Sequence, residues 1–540
     1  MTENIFRPVQ EYEDEQYQRI KRKIFSIFPS GRITELEEIV SVCMVMYSEH
    51  ESVLEENIRV LDALSLVMFV LDQYEEYAKV NSAHHQFSLS PAKDKYWQSY
   101  SSHARRGMKY LLEHLCRHST ILLGTNEDNL TEREKIASLS RIFISIEEMC
   151  STYMRIDAYR FLHDHVELIL NEREYTYFNV PQDSDPRAIV DIRSERQEIT
   201  SRIKGRPYSI DIEDHGRVLD PPFREHLGLN YAQLINFLKV YIESEANPTG
   251  VVPKAKIIRD LKKNFNITVE QATQAIHGFS IRATNLENRT LFSPKQEHRA
   301  YHRGFFEFIH NDIPVLFFSR TMALEALNIL INNTCYQKLP EEWKTPGIET
   351  HLTTLSNKAG KWFEDVVSNS LAEVGIHAMS SVERYRSRGK IITPPENVGE
   401  IDFIGYLEEH NALFVIEAKN VRFNTEPKLF RDDLSKFITG KKSYVGKFVS
   451  KCQWVVENLP IVIDELKQRG ISARNIERVY KVMVILSPSP VENRISDFSC
   501  VNLVEFMRIM ERGSLASLIA IDIQAETELL VIDEKSPVND

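Results

Sequence analysis

Residues 398–420 read VGEIDFIGYLEEHNALFVIEAKN, and four of their side chains have types and spacing suited to chemistry. Glu400 and Asp402 stand two apart in one short apolar run. Glu417 and Lys419 stand two apart in the next, with Ala418 between them. Side chains alternate faces along a strand, so residues two apart share a face. A hairpin in ordinary register then brings Asp402, Glu417 and Lys419 together. Two carboxylates held that close repel, and both are expensive to bury unless a cation joins them. A divalent metal ion resolves that conflict, and metal chemistry is what the stretch points to.

The elements that must position these groups lie on either side. The two runs and the polar turn between them predict a β-hairpin. Upstream, residues 357–374 (NKAGKWFEDVVSNSLAEV) form an amphipathic helical pattern with Phe363, Val366, Val367, Leu371 and Val374 on or near one face. Glu364 lies in that helix. Residues 376–386 predict a strand, and RSRGKIITPPENV a loop into the hairpin. Downstream, 428–458 is a basic helical stretch interrupted near Gly440, carrying Lys441, Lys442, Lys447 and Lys451. These lysines are candidates for gripping a phosphate backbone, with solvated surface charge as the equal alternative. An apolar strand at 479–487 (VYKVMVILS) and a strand and helix near 499–511 follow. The region 346–515 is therefore α/β in pattern, and 516–540 is an acidic tail.

The first 345 residues are mostly helical in pattern. Residues 1–175 have few glycines and prolines, and apolar residues recur at three- and four-residue spacing over 34–47, 53–79 and 133–171. Breaks fall at Ser30-Gly31 and Ser90-Pro91. His114 and His118 stand one helical turn apart, and His163 and His165 flank Asp164, but no further zinc ligand is recognisable, so surface or capping roles are expected. Residues 176–225 carry prolines and mixed charge with little periodicity and predict a linker or irregular connection. Residues 226–345 are a second helical region with a candidate helix-turn-helix. Pro253 opens one helix through Phe265, Asn266-Ile267-Thr268 turns, and Thr268 caps the next with Gln271. Lys254, Lys256, Arg259, Lys262 and Lys263 suit this unit to phosphate, although an ordinary helical hairpin has the same pattern. Arg299, His302 and Arg303 form another cationic cluster, read either as a nucleic-acid surface or as a packed surface helix.

Totals narrow the class. The chain has 540 residues, enough for several domains of ordinary core size. Its formal net charge is −12, so binding to nucleic acid requires a local basic surface. The six cysteines, Cys43, Cys116, Cys150, Cys335, Cys452 and Cys500, form no CxxC pair and predict reduced thiols. The N-terminus is polar and acidic without an apolar signal core, and no apolar run reaches the roughly 18 residues of a membrane span. A cytoplasmic protein with no membrane partner is the expectation.

The order of the C-terminal elements resembles the PD-(D/E)xK nuclease superfamily. It runs helix with Glu364, strand, strand with Asp402, short turn, strand with Glu417-Ala418-Lys419, helix, strand. GEIDFIG followed by FVIEAKN is most similar to the nuclease-related and Mrr-like restriction branches. The resemblance spans roughly residues 350–515 and implies a restriction-endonuclease-like fold there. It does not reach the first 350 residues. It implies that Asp402 is the metal-binding aspartate, that Glu417 and Lys419 are the Glu-x-Lys pair, and that Glu364 is the helical glutamate near the metal or its waters. Gly399-Glu400-Ile401 precedes Asp402 in place of proline, and Pro394 and Pro395 lie too far upstream to substitute.

The chemistry is consistent with that assignment. Asp402, Glu417 and Glu364 are the expected metal residues, with the Ala418 carbonyl as a further oxygen. Mg²⁺ is the expected ion, with Mn²⁺ as a substitute, because hard cations prefer oxygen ligands. Lys419 then orients the attacking water or neutralises charge in the transition state. The function expected is a Mg²⁺-dependent endonuclease hydrolysing DNA. Family analogy implies prokaryotic defence against foreign DNA. The helical regions would sense, recruit or make a homo-oligomer. The chain has no GxxxxGK[ST], so an NTPase or sensor would be a separate partner. A non-catalytic scaffold that binds nucleic acid or a partner is the alternative. RNA cleavage ranks below DNA because no RNA-recognition signature is present.

Overall fold

The computed structural model describes residues 4–86, 91–118, 130–161, 165–171, 177–179, 198–199, 201–203, 207–287, 291–292, 299–422, 424, 427–440 and 443–523. The chain divides into two compact units. One comprises Met1–Ser184 and Ser209–Ser356, the other Asp185–Tyr208 and Asn357–Asp540. Among the described residues, no helix is long and apolar enough to cross a membrane.

The first unit begins with helices α1 (Gln10–Phe25), α2 (Leu36–Ile58), α3 (Ala63–Gln86), α4 (Pro91–Arg117) and α5 (Glu132–Phe161). Leu54, Val67, Leu71, Leu111, Leu115, Ile142 and Ile146 meet in one core, as their helical spacing predicts. Two long patterns break earlier than periodicity indicates. The 53–79 run divides at Asp62, whose carboxylate accepts the Ser65 N–H at 2.7 Å and so starts α3. The 133–171 run ends at Phe161. Beyond it, strand β2 (Glu167–Leu170) pairs with β1 (Gly31–Ile33) and β3 (Tyr177–Asn179).

The expected linker is partly helical. Of residues 176–225, 176, 180–197, 200 and 204–206 lie outside the described residues. Helix α6 (Ile212–Leu227) runs through Pro221 and Pro222. Its apolar stripe of Leu219, Phe223 and Leu227 is fully buried, which outweighs the proline penalty. Pro222 has no N–H for the Val218 carbonyl four residues back. The His351 Nδ1 lies 3.0 Å from that carbonyl and takes its place as donor. Ile199 and Ile203 belong instead with the second unit, whose core they join.

The helix-turn-helix forms as the sequence predicts. After α7 (Tyr231–Ser244) and strand β4 (Thr249–Pro253) come α8 (Lys254–Phe265) and α9 (Val269–His277). Asn266 turns the chain at φ 52°. Thr268 and Gln271 exchange reciprocal capping bonds of 3.2 and 3.0 Å. Strand β5 (Ser280–Ile281), helix α10 (Ala283–Leu286), strands β6 (Phe305–His310) and β7 (Ile313–Ser319), and helix α11 (Arg320–Thr334) complete this part. The sheet order is β4-β7-β6-β5. Arg299 and Arg303 are not a nucleic-acid surface. Both are buried, Arg299 against Glu113 at 2.9 Å and Arg303 against Glu342 at 2.7 Å. His114 is likewise buried, with its ring centroid 4.7 Å from that of His118. His163 lies outside the described residues.

The second unit is α/β. Helix α12 (Ile348–Glu373), which belongs to this unit from Asn357 on, leads into strand β8 (His377–Val382) and a short hairpin, β9 (Tyr385–Ser387) and β10 (Lys390–Ile392), where the sequence predicts a loop. Strands β11 (Ile401–Leu407) and β12 (Ala412–Lys419) are the predicted hairpin. Helix α13 (Pro427–Leu434) passes into a π-helical turn at Ser435–Thr439 and stops at Gly440. Then come α14 (Tyr444–Glu457), α15 (Leu459–Gln468), β13 (Arg478–Ile485), β14 (Ser499–Asn502), α16 (Leu503–Glu511) and β15 (Ala520–Asp522). Residues 524–540 of the acidic tail lie outside the described residues.

The main sheet has the order β14-β13-β12-β11-β8, with β15 also paired to β13. Strand β11 is antiparallel to β8 and β12, whereas β12, β13 and β14 are parallel. Alternation along the strands gives the sheet two apolar faces. Ile404, Leu413, Val415 and Met483 share a core with Phe448, Cys452 and Val455 of α14 and with Val462 and Leu466 of α15. Phe403, Phe414, Ile416, Ala418 and Val482 share the other with Phe363, Val367 and Leu371 of α12 and with Val504 and Met507 of α16.

Candidate active site

The hairpin register pairs Phe403 with Ile416, which sets Asp402 and Glu417 at the next step, where the two strands part. By alternation they stand on the α14 face of the sheet, with Lys419 two residues beyond Glu417. The Lys419 Nζ lies 2.6 Å from Glu417 Oε1 and 3.4 Å from Asp402 Oδ2. The Ala418 N–H donates to the same Oδ2 at 2.9 Å. The three residues singled out from their spacing thus converge. Glu400, two residues before Asp402, is exposed and outside this group.

A second lysine completes the cluster. The Lys451 Nζ lies 2.6 Å from Glu417 Oε2 and 3.9 Å from Asp402 Oδ1. The residue is only 8% exposed. This corrects its reading as a phosphate-backbone contact, because its ammonium is spent inside the protein on the acidic pair. A signal was present. Lys451 falls at helical spacing among Phe448, Cys452 and Val455, on the apolar stripe of α14. Lys447, one turn earlier, is exposed and keeps its candidacy. Lys441 and Lys442 lie outside the described residues.

Glu364 is not brought to the cluster. Its helix α12 packs on the opposite face of the sheet, through Phe363 and Val367. Its carboxylate pairs with Lys361 on the same helix at 3.0 Å, and among the described residues no third carboxylate joins Asp402 and Glu417 as a metal site. Helix α12 does brace the end of β12, since the Asn420 side-chain amide donates to the Ala359 carbonyl at 2.8 Å.

Charge is unevenly balanced within the cluster. Burial, and then Glu417, push the Asp402 carboxyl up to about 6, against the opposing pull of Lys419, Lys451 and the Ala418 N–H. Burial disfavours the Lys419 ammonium, but Glu417 and Asp402 outweigh it and hold its pKa above the usual lysine value. The Tyr444 ring at the start of α14 adds an aromatic wall, with the Lys419 Nζ 5.6 Å and the Lys436 Nζ 5.4 Å from its centroid.

The donor set suits a hard divalent cation that keeps several waters, since it offers two convergent carboxylates and no soft ligand. It is a pair rather than a cage. Among the described residues, no group of three or more His, Cys, Asp and Glu side chains comes together as a metal site. Comparison with family models, curated proteins and solved structures finds no match to this chain.

Proposed function

We propose that the chain is a metal-dependent nuclease of the PD-(D/E)xK type, acting on DNA through the Asp402–Glu417–Lys419 cluster. The observation that carries this reading is the placement of the Lys419 ammonium within 3.4 Å of both carboxylates at the end of a mixed sheet. The strand and helix order of the second unit is compatible with a restriction-endonuclease-like core. Asp402 and Glu417 would hold Mg²⁺ or Mn²⁺. When bound, the ion polarises a phosphoryl oxygen and lowers the pKa of water. Lys419 offers a rigidly held proton donor and positive charge beside the place where phosphoryl charge develops. Asp402 is kept in place by the Ala418 N–H, so its orientation costs little at the moment of reaction. Lys447, exposed on the helix that supplies Lys451, is a candidate phosphate contact. A prokaryotic defence role remains an analogy with the family. Glu364 has no part in this proposal.

The test is incubation of the purified chain with supercoiled, linear and single-stranded DNA, with Mg²⁺ or EDTA. Nicked or linear product in Mg²⁺ alone supports the reading, and intact DNA throughout rejects it. One observation favours a second reading, the non-catalytic scaffold. Both oxygens of Glu417 already have ammonium partners at 2.6 Å, so the cluster balances charge without an ion. Absence of Mg²⁺ and Mn²⁺ binding in a calorimetric titration would select it.

A further inference from the structure

The four carboxylate oxygens of the cluster are divided between two lysines. Lys419 takes Glu417 Oε1 at 2.6 Å and Asp402 Oδ2 at 3.4 Å. Lys451 takes Glu417 Oε2 at 2.6 Å and lies 3.9 Å from Asp402 Oδ1. The two edges are not equivalent. Asp402 Oδ2 also accepts the Ala418 N–H at 2.9 Å, which satisfies its lone pairs. Among the described residues, Asp402 Oδ1 has only the distant Lys451. The less satisfied donors of the pair therefore lie on the Oδ1/Oε2 edge, and that edge is where the Lys451 ammonium sits. Lys419 and Lys451 also differ in origin. Lys419 is the last residue of a central strand, whereas Lys451 reaches in from α14.

We propose that Lys451 is the resident counter-ion of the Asp402–Glu417 pair and competes with a divalent metal ion for it, thereby setting the metal affinity of the site. This rests on the metal-site reading of the cluster. A dication held by Asp402 and Glu417 would be repelled by the ammonium that stands 2.6 Å from Glu417 Oε2 in this buried setting, so the ion and Lys451 would compete for the acids. Without Lys451 two buried carboxylates would share the single ammonium of Lys419, so Lys451 also stabilises the metal-free fold.

The test is titration calorimetry of the full chain with Mn²⁺ in the absence of DNA. Lys451→Met should bind Mn²⁺ roughly tenfold more tightly than wild type, because one competing charge is gone. Lys451→Arg, which keeps the charge, should stay near wild type. Asp402→Asn should abolish binding in either background. Folded Lys451→Met that binds no more tightly than a binding wild type overturns the proposal and leaves the metal reading standing. Failure of both wild type and Lys451→Met to bind at millimolar Mn²⁺ overturns both. Lys451→Gln is measured alongside, because it keeps an amide donor for Glu417 and guards against unfolding. If either neutral variant is unfolded in EDTA, its circular dichroism should recover on adding Mn²⁺. Failure to recover also overturns the proposal.

Discussion

The Asp402 carboxylate accepts the backbone N–H of Ala418 at 2.9 Å. The middle residue of the Glu-x-Lys run thus fixes the acid on the neighbouring strand, and the choice of substitution matters. Asp402→Asn keeps an acceptor for that N–H. Asp402→Ala leaves it buried and unpaired, a cost of about 1–3 kcal/mol.

Asp402→Asn and Lys419→Met are each expected to lower Mg²⁺-dependent DNA cleavage by about 100-fold or more, since each removes a charge at the reacting centre. Their far-ultraviolet circular dichroism should match wild type. Asp402→Ala should lose activity to the same degree and also melt at a lower temperature. Cleavage by both purified charge variants at the wild-type rate would take the chemistry away from this cluster.

Glu364→Gln separates what the family resemblance implies from where the side chain lies. Helix α12 meets the sheet on the face opposite Asp402 and Glu417, and Glu364 is held by Lys361 at 3.0 Å. The expected result is cleavage within about tenfold of wild type, the range of a remote electrostatic change. A loss as deep as that of Asp402→Asn would return Glu364 to the reaction.

These contrasts show where the sequence is readable. Alternation of apolar and charged residues places Asp402, Glu417 and Lys419 together, because a strand's faces follow directly from its two-residue period. Helical periodicity says that Phe363 and Val367 meet a sheet, but not which face of it, and the expectation that Glu364 reaches the metal comes from the family resemblance and not from that pattern. The charge of Lys451 suggests a surface role, whereas its position beside Phe448 and Cys452 marks it as buried. Pro221-Pro222 and the surrounding charges conceal helix α6, which is held by its buried apolar stripe and whose Val218 carbonyl is satisfied by His351, far along the chain. Ile199 and Ile203 reach the second unit through tertiary contacts that no local pattern encodes.

The pH dependence of stability follows from Asp402. In the metal-free fold its carboxyl is raised from 3.8 to about 6, by burial first and Glu417 second. The folded chain therefore keeps a proton that the unfolded chain has released between these values. Stability contributed by this group falls as pH rises through that window and stays reduced above it. Asparagine does not titrate. In EDTA, the melting temperature of Asp402→Asn relative to wild type should rise from about pH 4 to pH 6 and then level off. A difference that stays constant across the window would contradict this account.

The helix-turn-helix gives the last prediction, because its two helices present different surfaces. Helix α9 is engaged on its inner side. The Gln271 amide donates to the His226 carbonyl at 3.3 Å, and the Gln274 amide to the Glu342 carbonyl at 2.8 Å. Its exposed start carries Glu270, which repels phosphate. Helix α8 is the cationic element. Lys254 is neutralised by Glu307 at 2.8 Å, but Lys256, Arg259, Lys262 and Lys263 are exposed. On the proposed DNA-binding reading, such a surface would grip backbone charge and read no base. Arg259→Glu with Lys263→Glu should therefore weaken DNA binding by a similar factor on unrelated sequences. It should also reduce the slope of log affinity against log salt by about 2, one for each phosphate no longer neutralised. Fluorescence anisotropy at several salt concentrations measures both quantities. Unchanged affinity and slope would make these residues ordinary solvated charge. Weakening confined to one sequence would instead mean that α9 reads bases despite its packed side.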